Sequence, residues 1–184
     1  MSSADGWTTI ERKTGETKVS LRLRLDGSGQ ASIDTEPYFL RHMLETLARH
    51  GDLDLDLQAR GEDDHHLIED VGIAIGHGIR QAIPDLRIAR IAHAVVPMDE
   101  ALVLVALDLV DRPYASVELP DAVYAHMLRS MALDGKFTLH VRPLTGEDTH
   151  HVVEAAFKAL GRALQQAVLP RSDVASTKGE VEWA

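Results

Sequence analysis

Two copies of one five-residue pattern carry the chemistry available to this chain. His65-His66-Leu67-Ile68-Glu69 and His150-His151-Val152-Val153-Glu154 each place two adjacent imidazoles ahead of a carboxylate. On a helix, the first histidine and the glutamate are four apart and the second histidine and the glutamate three apart, so either pair shares a face. The two histidines of one copy diverge by about 100° around the axis, so they are expected to serve two different ions. His42 and His126, each followed by Met-Leu, recur upstream. The candidate metal ligands are therefore His42, His65, His66, Glu69, His126, His150, His151 and Glu154. Shared between two ions, they give four protein groups each and leave open positions on a six-coordinate ion. Imidazole with carboxylate suits Mn, Fe, Co, Ni or Zn, and the absence of thiolate removes one argument for Zn.

The elements that must position these groups are themselves duplicated. His150 follows His65 by 85 residues, and at that spacing Ala74, Gly76, Gln81 and Ala82 match Ala159, Gly161, Gln166 and Ala167. His126 follows His42 by 84, and Gly51 and Gly135 each precede an alternating segment. Matching segments in the same order indicate a repeat, with an N-terminal segment 1–9, a first half 10–92 and a second half 93–184. Each half reads as strand, strand, helix, strand, helix. In the first half these are Val19–Leu25, Ala31–Ile33, Phe39–His50, Leu53–Leu57 and Ile68–Ile83, by apolar alternation or helical spacing. The second half repeats them over Leu102–Leu109, Ala115–Leu119, Ala122–Ala132, Phe137–Val141 and His151–Val168. Asp26-Gly27-Ser28-Gly29 reads as a hairpin turn between the first two strands. The expected class is α+β, with two helices on one face of each antiparallel-rich sheet. Gly72, Gly76 and Gly78 are costly within a helix and call for a close backbone neighbour.

Composition limits the remaining possibilities. The chain has 184 residues, no cysteine, 10 histidines and a formal net charge of -10. Disulfides, iron–sulfur clusters and cysteine zinc knuckles are excluded. The acidic balance is opposite to what nucleic-acid binding wants. The longest apolar run, Ala101–Leu107, is far short of a membrane span, and no secretory signal is visible, so a cytoplasmic protein is expected. Against the acidic background, Lys158 lies one helical turn after Glu154, Lys178 lies in Ser176-Thr177-Lys178-Gly179, and Arg90 and Arg112 lie near strand ends. A phosphate needs only a few such groups. His77 and His93 have no repeat partner, and spacing alone leaves His50 and His140 open.

From Arg12 to Gly179 the chain resembles the imidazoleglycerol-phosphate dehydratase family of histidine biosynthesis. The resemblance rests on Glu16-Thr17, Leu25-Asp26-Gly27-Ser28-Gly29, His42-Met43-Leu44 and Asp63-Asp64-His65-His66 with Glu69-Asp70. It continues through Pro97-Met98-Asp99-Glu100-Ala101-Leu102, Arg112-Pro113-Tyr114, the second His-His-Val-Val-Glu segment to Ala159, and Ser176-Thr177-Lys178-Gly179. It implies a ribosomal protein S5 domain 2-like fold and a pair of Mn(II) ions on the eight ligands named above. It also implies a phosphate held by Arg90, Arg112, Lys158, Ser176 and Lys178, an acid/base role for Glu16, and a place at the site for His50. The implied reaction is removal of water from imidazole glycerol phosphate to give imidazole acetol phosphate, with metal on the ring nitrogens favouring an imidazolate. The implied assembly is a hollow twenty-four-subunit shell of trimers with metals at subunit contacts, which would also supply the glycine-rich helix with its neighbour. The chain departs from the family's usual pattern at Arg41, where an aspartate is common.

Overall fold

Alternation of Val19, Leu21 and Leu23 with Lys18, Ser20 and Arg22 gives a strand with one buried and one wet face. The same rule holds at Leu55, Leu57 and Ala59, and at Val103, Val105 and Leu107. The computed structural model describes residues 6–83 and 87–175. In chain order the elements are β1 (Thr8–Lys13), β2 (Thr17–Arg24), β3 (Ala31–Asp34), α1 (Tyr38–Gly51), β4 (Asp54–Gly61) and α2 (Asp64–Ala82). The order repeats as β5 (Ile91–Met98), β6 (Ala101–Asp108), β7 (Tyr114–Val117), α3 (Ala122–Asp134), β8 (Thr138–Thr145) and α4 (Thr149–Ala167).

The sheets run β1-β2-β4-β3 and β5-β6-β8-β7. In each, the short third strand lies parallel to the fourth, and the other pairs are antiparallel. Each sheet carries its own two helices on one face, and the helix layers then meet, α1 against α4 and α2 against α3. The core thus fills two sheet–helix interfaces and the helix–helix interface between them. The α+β duplication expected from the sequence is present.

Three expectations are corrected. Each half contains a first strand that hydrophobic patterning missed. β1 offers Ile10 as its one large apolar residue and buries Thr8 instead, while β5 is an edge strand containing Pro97, where a missing amide is tolerated. The Asp26–Gly29 turn does not join hairpin partners, because β4 lies between β2 and β3. Turn residues mark where a chain reverses, not which strand it then pairs with. Here the turn closes around the buried Asp54 carboxylate, which accepts the Ser28 amide at 2.8 Å and the Gln30 amide at 3.0 Å and pairs with Arg24. A Cβ on Gly27 would sit 2.5 Å from the Asp54 side chain, which is why glycine stands there.

The third correction concerns the glycine-rich helix, whose close neighbour is in the same chain. A Cβ on Gly72 would lie 2.7 Å from the carbonyl oxygen of Met127, and one on Gly76 would overlap that of Met131, both on α3. At the pseudo-equivalent contact, a Cβ on Gly161 would lie 2.8 Å from the Leu47 carbonyl oxygen on α1.

Burial pushes the Asp54 carboxyl up, but the Gln30 and Ser28 amides and Arg24 outweigh it and hold its pKa below the ordinary 3.8. A carboxyl depressed in the folded state contributes stability that is complete above its unfolded pKa and lost as pH falls through the folded value. Asp54→Asn is expected to lower unfolding stability at pH 7 by about 1–3 kcal/mol. In urea titrations the gap to wild type should persist down to pH 4 and close only below it; a gap independent of pH would remove the charge argument.

Candidate metal centre

The second helix of each half begins on an aspartate cap. Asp63 accepts the His66 amide at 3.0 Å, and Asp148 accepts the amides of His150 at 2.7 Å and His151 at 3.4 Å. The paired histidines therefore stand on the first turn of α2 and of α4. In both copies the two rings of a pair are close to perpendicular, at 85° for His65 and His66 and 88° for His150 and His151.

The first histidine of each pair joins the glutamate of its own helix and a histidine from the helix packed against it. His150 and Glu154 on α4 meet His42 on α1, and His65 and Glu69 on α2 meet His126 on α3. In the first cluster, Glu154 Oε2 lies 3.1 Å from His42 Nε2 and 3.2 Å from His150 Nε2. In the second, Glu69 Oε1 lies 3.0 Å from His126 Nε2. The imidazoles stack in both, with centroids 5.9 Å apart for His42 and His150 and 5.6 Å apart for His65 and His126. The ligand atoms of each cluster lie within 4.8 Å of one another. Separations near 3 Å match adjacent positions on an ion with bonds of about 2.1 Å. The mixed nitrogen and carboxylate donors fit a first-row divalent ion such as Mn(II). Each cluster spans the two halves of the chain, so neither half alone builds one.

His66 and His151 point away from these clusters, and each meets a glutamate. His66 Nδ1 lies 2.8 Å from Glu16 Oε2, and His151 Nδ1 lies 2.8 Å from Glu100 Oε2. Glu16 ends the β1–β2 turn and Glu100 ends the β5–β6 turn, and they are 84 residues apart, the same offset as His42 and His126. That offset was the available signal for Glu100, which the site reading from sequence passed over. The Glu16 turn is built by Thr14, whose hydroxyl accepts the amides of Glu16 at 3.1 Å and Thr17 at 2.9 Å. It is anchored to α2 through Asp70, which takes Arg12 at 2.7 Å and also the Thr17 hydroxyl. A cavity of about 430 Å³ opens here, lined by Arg12, Thr14, Glu16, His66, Glu69 and Asp70 among others. Glu100 is held differently: the Asp148 amide first, then His151, pull its carboxyl down to about 2.

Lys158 does reach a cluster, with Nζ 3.0 Å from Glu154 Oε1. Burial pushes the Glu154 carboxyl up, and the hydrogen bonds from Lys158 and His42 more than offset it, leaving the pKa below the ordinary value. His50, on the last turn of α1, is kept toward the neutral imidazole by burial and then by the charges of Lys158 and Arg162. Arg90 and Arg112 are elsewhere. The Arg90 amide bonds to the Ala167 carbonyl at the far end of α4, roughly 25 Å along the helix from His150. Arg90 pairs with Asp108 at 2.8 Å, and the Arg112 carbonyl accepts from Thr138, which faces Asp108 across the ladder. The two arginines therefore share one end of the second sheet. Ser176 and Lys178 lie outside the described residues. Arg41 donates to the Thr35 carbonyl at 2.8 Å.

A duplicated α+β chain whose helices present two histidine–carboxylate clusters is a metalloprotein of two-site design. The family model described as imidazoleglycerol-phosphate dehydratase matches residues 35–164. The chain belongs to the imidazoleglycerol-phosphate dehydratase family. It is 46% identical over 187 residues to the imidazoleglycerol-phosphate dehydratase of Desulforamulus reducens, covering 92% of this chain and 95% of that one. It is 48% identical over 173 residues to that of Chloroflexus aurantiacus, covering 86% and 84%. The fold is similar to the Pyrococcus furiosus enzyme, with TM-score 0.83 at 36% identity over 94% of this chain and all of that one. It is also similar to the Staphylococcus aureus enzyme, with TM-score 0.81 at 31% identity over 89% and 99%.

Because the clusters share no ligand, they should empty separately. His42→Ala is expected to lower bound metal from two ions per chain to one, and His126→Ala to remove the other. Elemental analysis of each purified variant checks this; loss of both ions from either single variant would contradict independent sites.

Proposed function

We propose that the protein catalyses the manganese-dependent dehydration of D-erythro-imidazole glycerol phosphate to imidazole acetol phosphate in histidine biosynthesis, as a cytoplasmic enzyme. The observation that carries this reading is the pair of histidine–carboxylate clusters, one beside a cavity that contains an exposed glutamate. Among the described residues no helix is long and apolar enough to cross a membrane.

Ions held by His42, His150 and Glu154 and by His65, Glu69 and His126 would supply Lewis acidity, which would make a C–H bond acidic where no carbonyl adjoins it. Glu16 takes the proton from that carbon. Its carboxylate is exposed, sits on a turn braced by Thr14 and Asp70, and has the reach of a positioned general base. The C–H electron pair forms the carbon–carbon double bond, the neighbouring hydroxyl leaves as water with the proton that Glu16 has taken, and the resulting enol becomes the ketone. His50, favoured as the neutral imidazole, lines the α1–α4 side near Lys158. Lys158, Arg90, Arg112, Ser176 and Lys178 hold the phosphate and keep the reacting carbon in register.

The working unit is a homo-24-mer built from trimers. Three features support association of copies. His66 and His151 stand outside the clusters of their own chain, which suits them to complete clusters in neighbouring copies. Lys158 stands midway along α4, about 14 Å along the axis from Ala167, whose carbonyl takes the Arg90 amide, and that separation suits a phosphate held by groups from different copies. The outer face of the first sheet is charged, with Glu11, Lys18, Arg22, Asp56 and Arg60, whereas that of the second carries Ile91, Val95, Pro97, Leu102 and Leu104. An apolar sheet face of that kind marks an interaction surface.

Glu16→Gln is expected to lower turnover of imidazole glycerol phosphate by about 10²–10⁴-fold while both ions stay bound. The assay uses manganese-loaded protein whose 24-subunit mass has been verified by sedimentation. No turnover by the loaded, assembled wild type would end the dehydratase reading, and a loaded single chain at full activity would end the assembly reading.

A further inference from the structure

The two glutamate–histidine pairs have the same contact and different surroundings. Glu16 meets His66 through Oε2, and its side chain remains 65% exposed on the turn. Glu100 meets His151 through Oε2, while its other oxygen, Oε1, accepts the amides of Asp148 at 3.0 Å and Glu147 at 3.3 Å. Those amides belong to the segment that caps α4, on whose first turn His151 stands. One carboxylate thus ties the β5–β6 turn, the start of α4 and the imidazole together. Asp99, from the same turn, is 3.6 Å from His151 Nε2, beyond hydrogen-bond distance.

An ionised carboxylate only accepts hydrogen bonds, so the partner nitrogen must carry the proton. With Glu100 Oε2 at Nδ1, the neutral His151 ring keeps its hydrogen on Nδ1 and its lone pair on Nε2. We infer that Glu100 is a positioning residue that sets the His151 tautomer, so that Nε2 is presented as a metal ligand to a neighbouring copy. This rests on the proposal that His151 completes a metal site in the assembly. The duplication has then been used twice: Glu16 kept the contact but remained free to move protons, and Glu100 was locked by two amides and serves only orientation. Outer carboxylate partners of ligating histidines raise ligand basicity and fix ring direction.

The pinned oxygen makes the inference testable with a nearly isosteric change. In Glu100→Gln the carbonyl oxygen must stay on the amides of Glu147 and Asp148, because an NH2 group cannot accept from them. The NH2 then faces Nδ1 and forces the hydrogen onto Nε2, the tautomer that cannot ligate. In Glu100→Ala nothing imposes either tautomer, but the amide contacts are lost. A tautomer-setting role therefore predicts manganese affinity in the order wild type, Ala, Gln. A role confined to capping α4 predicts the order wild type, Gln, Ala.

Manganese titration of the assembled chain, counting free Mn(II) by its electron paramagnetic resonance signal, reads the order directly. One of the two ions is expected to bind about 10–100-fold more weakly in Glu100→Gln, with a smaller loss in Glu100→Ala. The melting temperature of metal-free Glu100→Gln should be at or above that of Glu100→Ala. Wild-type affinity in Glu100→Gln, an affinity in Glu100→Gln above that of Glu100→Ala, or earlier melting of the Gln variant each overturns the inference. The readout is binding, so a wild type that holds two ions but does not dehydrate imidazole glycerol phosphate would sink the dehydratase reading alone.

Discussion

Close contact between helices of opposite halves is the constraint on which the site depends. Gly72 and Gly76 let α2 approach the backbone of α3, and Gly51 and Gly161 do the same for α1 and α4. Each ligand cluster sits beside one of these contacts. Glu69 is one turn before Gly72, His126 precedes Met127, whose carbonyl faces Gly72, and Glu154 lies two turns before Gly161 on the face toward α1. A side chain at the glycines would push the helices apart, and a shift of an ångström or more would break donor spacings of 3.0–3.2 Å. Glycine's cost in helix propensity, about 1 kcal/mol each, is thus offset by the packing of the halves and secures the geometry of the metal sites.

Much of this was legible because the chain states it twice. Periodicity alone would leave His42 and His126 as two histidines on amphipathic helices. Their shared offset of 84 and the Met-Leu that follows each made them members of one set with the paired histidines. The about 100° step between adjacent histidines correctly separated His65 from His66 and His150 from His151. The implied ligands therefore divide into six that the fold gathers in two clusters and two that it directs elsewhere.

What was not legible depended on partners distant in sequence. β1 was hidden because its inward residue is Thr8, and β5 because an edge position tolerates Pro97 and asks for little apolar alternation. Where β3 crosses to the far side of β4, the loop over Ser28–Gln30 is held by the carboxylate of Asp54, and no local turn rule contains that carboxylate. Glu100 was passed over because a glutamate in an acidic hairpin reads as solvated surface. Its importance appears only when its two oxygens are seen to have different partners. The residues proposed to hold phosphate posed the opposite difficulty: sequence could group them by type, but within one chain Lys158 stands midway along α4 while the Arg90 backbone meets the end of that helix at Ala167.

The separation of those cations bears on how a chain of net charge -10 can accept an acidic substrate. Clustering the cations and the metal ligands on one face of one chain would place several like charges together before any ligand arrived. Here Lys158 is already paired with Glu154, and Arg90 with Asp108, so each cation is neutralised locally within the chain. Two divalent ions add four positive charges beside carboxylates that would otherwise repel a phosphate. Local field at the site would then be set by the ions and, in the proposed assembly, by which copies meet, whereas the net charge of the chain governs only its solubility and long-range behaviour. In the proposed assembly, metal-loaded clusters and cations of several copies would come together, and substrate binding would then be tied to assembly. The positions that coupling would draw on are those of His66 and His151, outside the two clusters of their own chain, and of Arg90, whose amide meets Ala167 at the far end of α4 from His150.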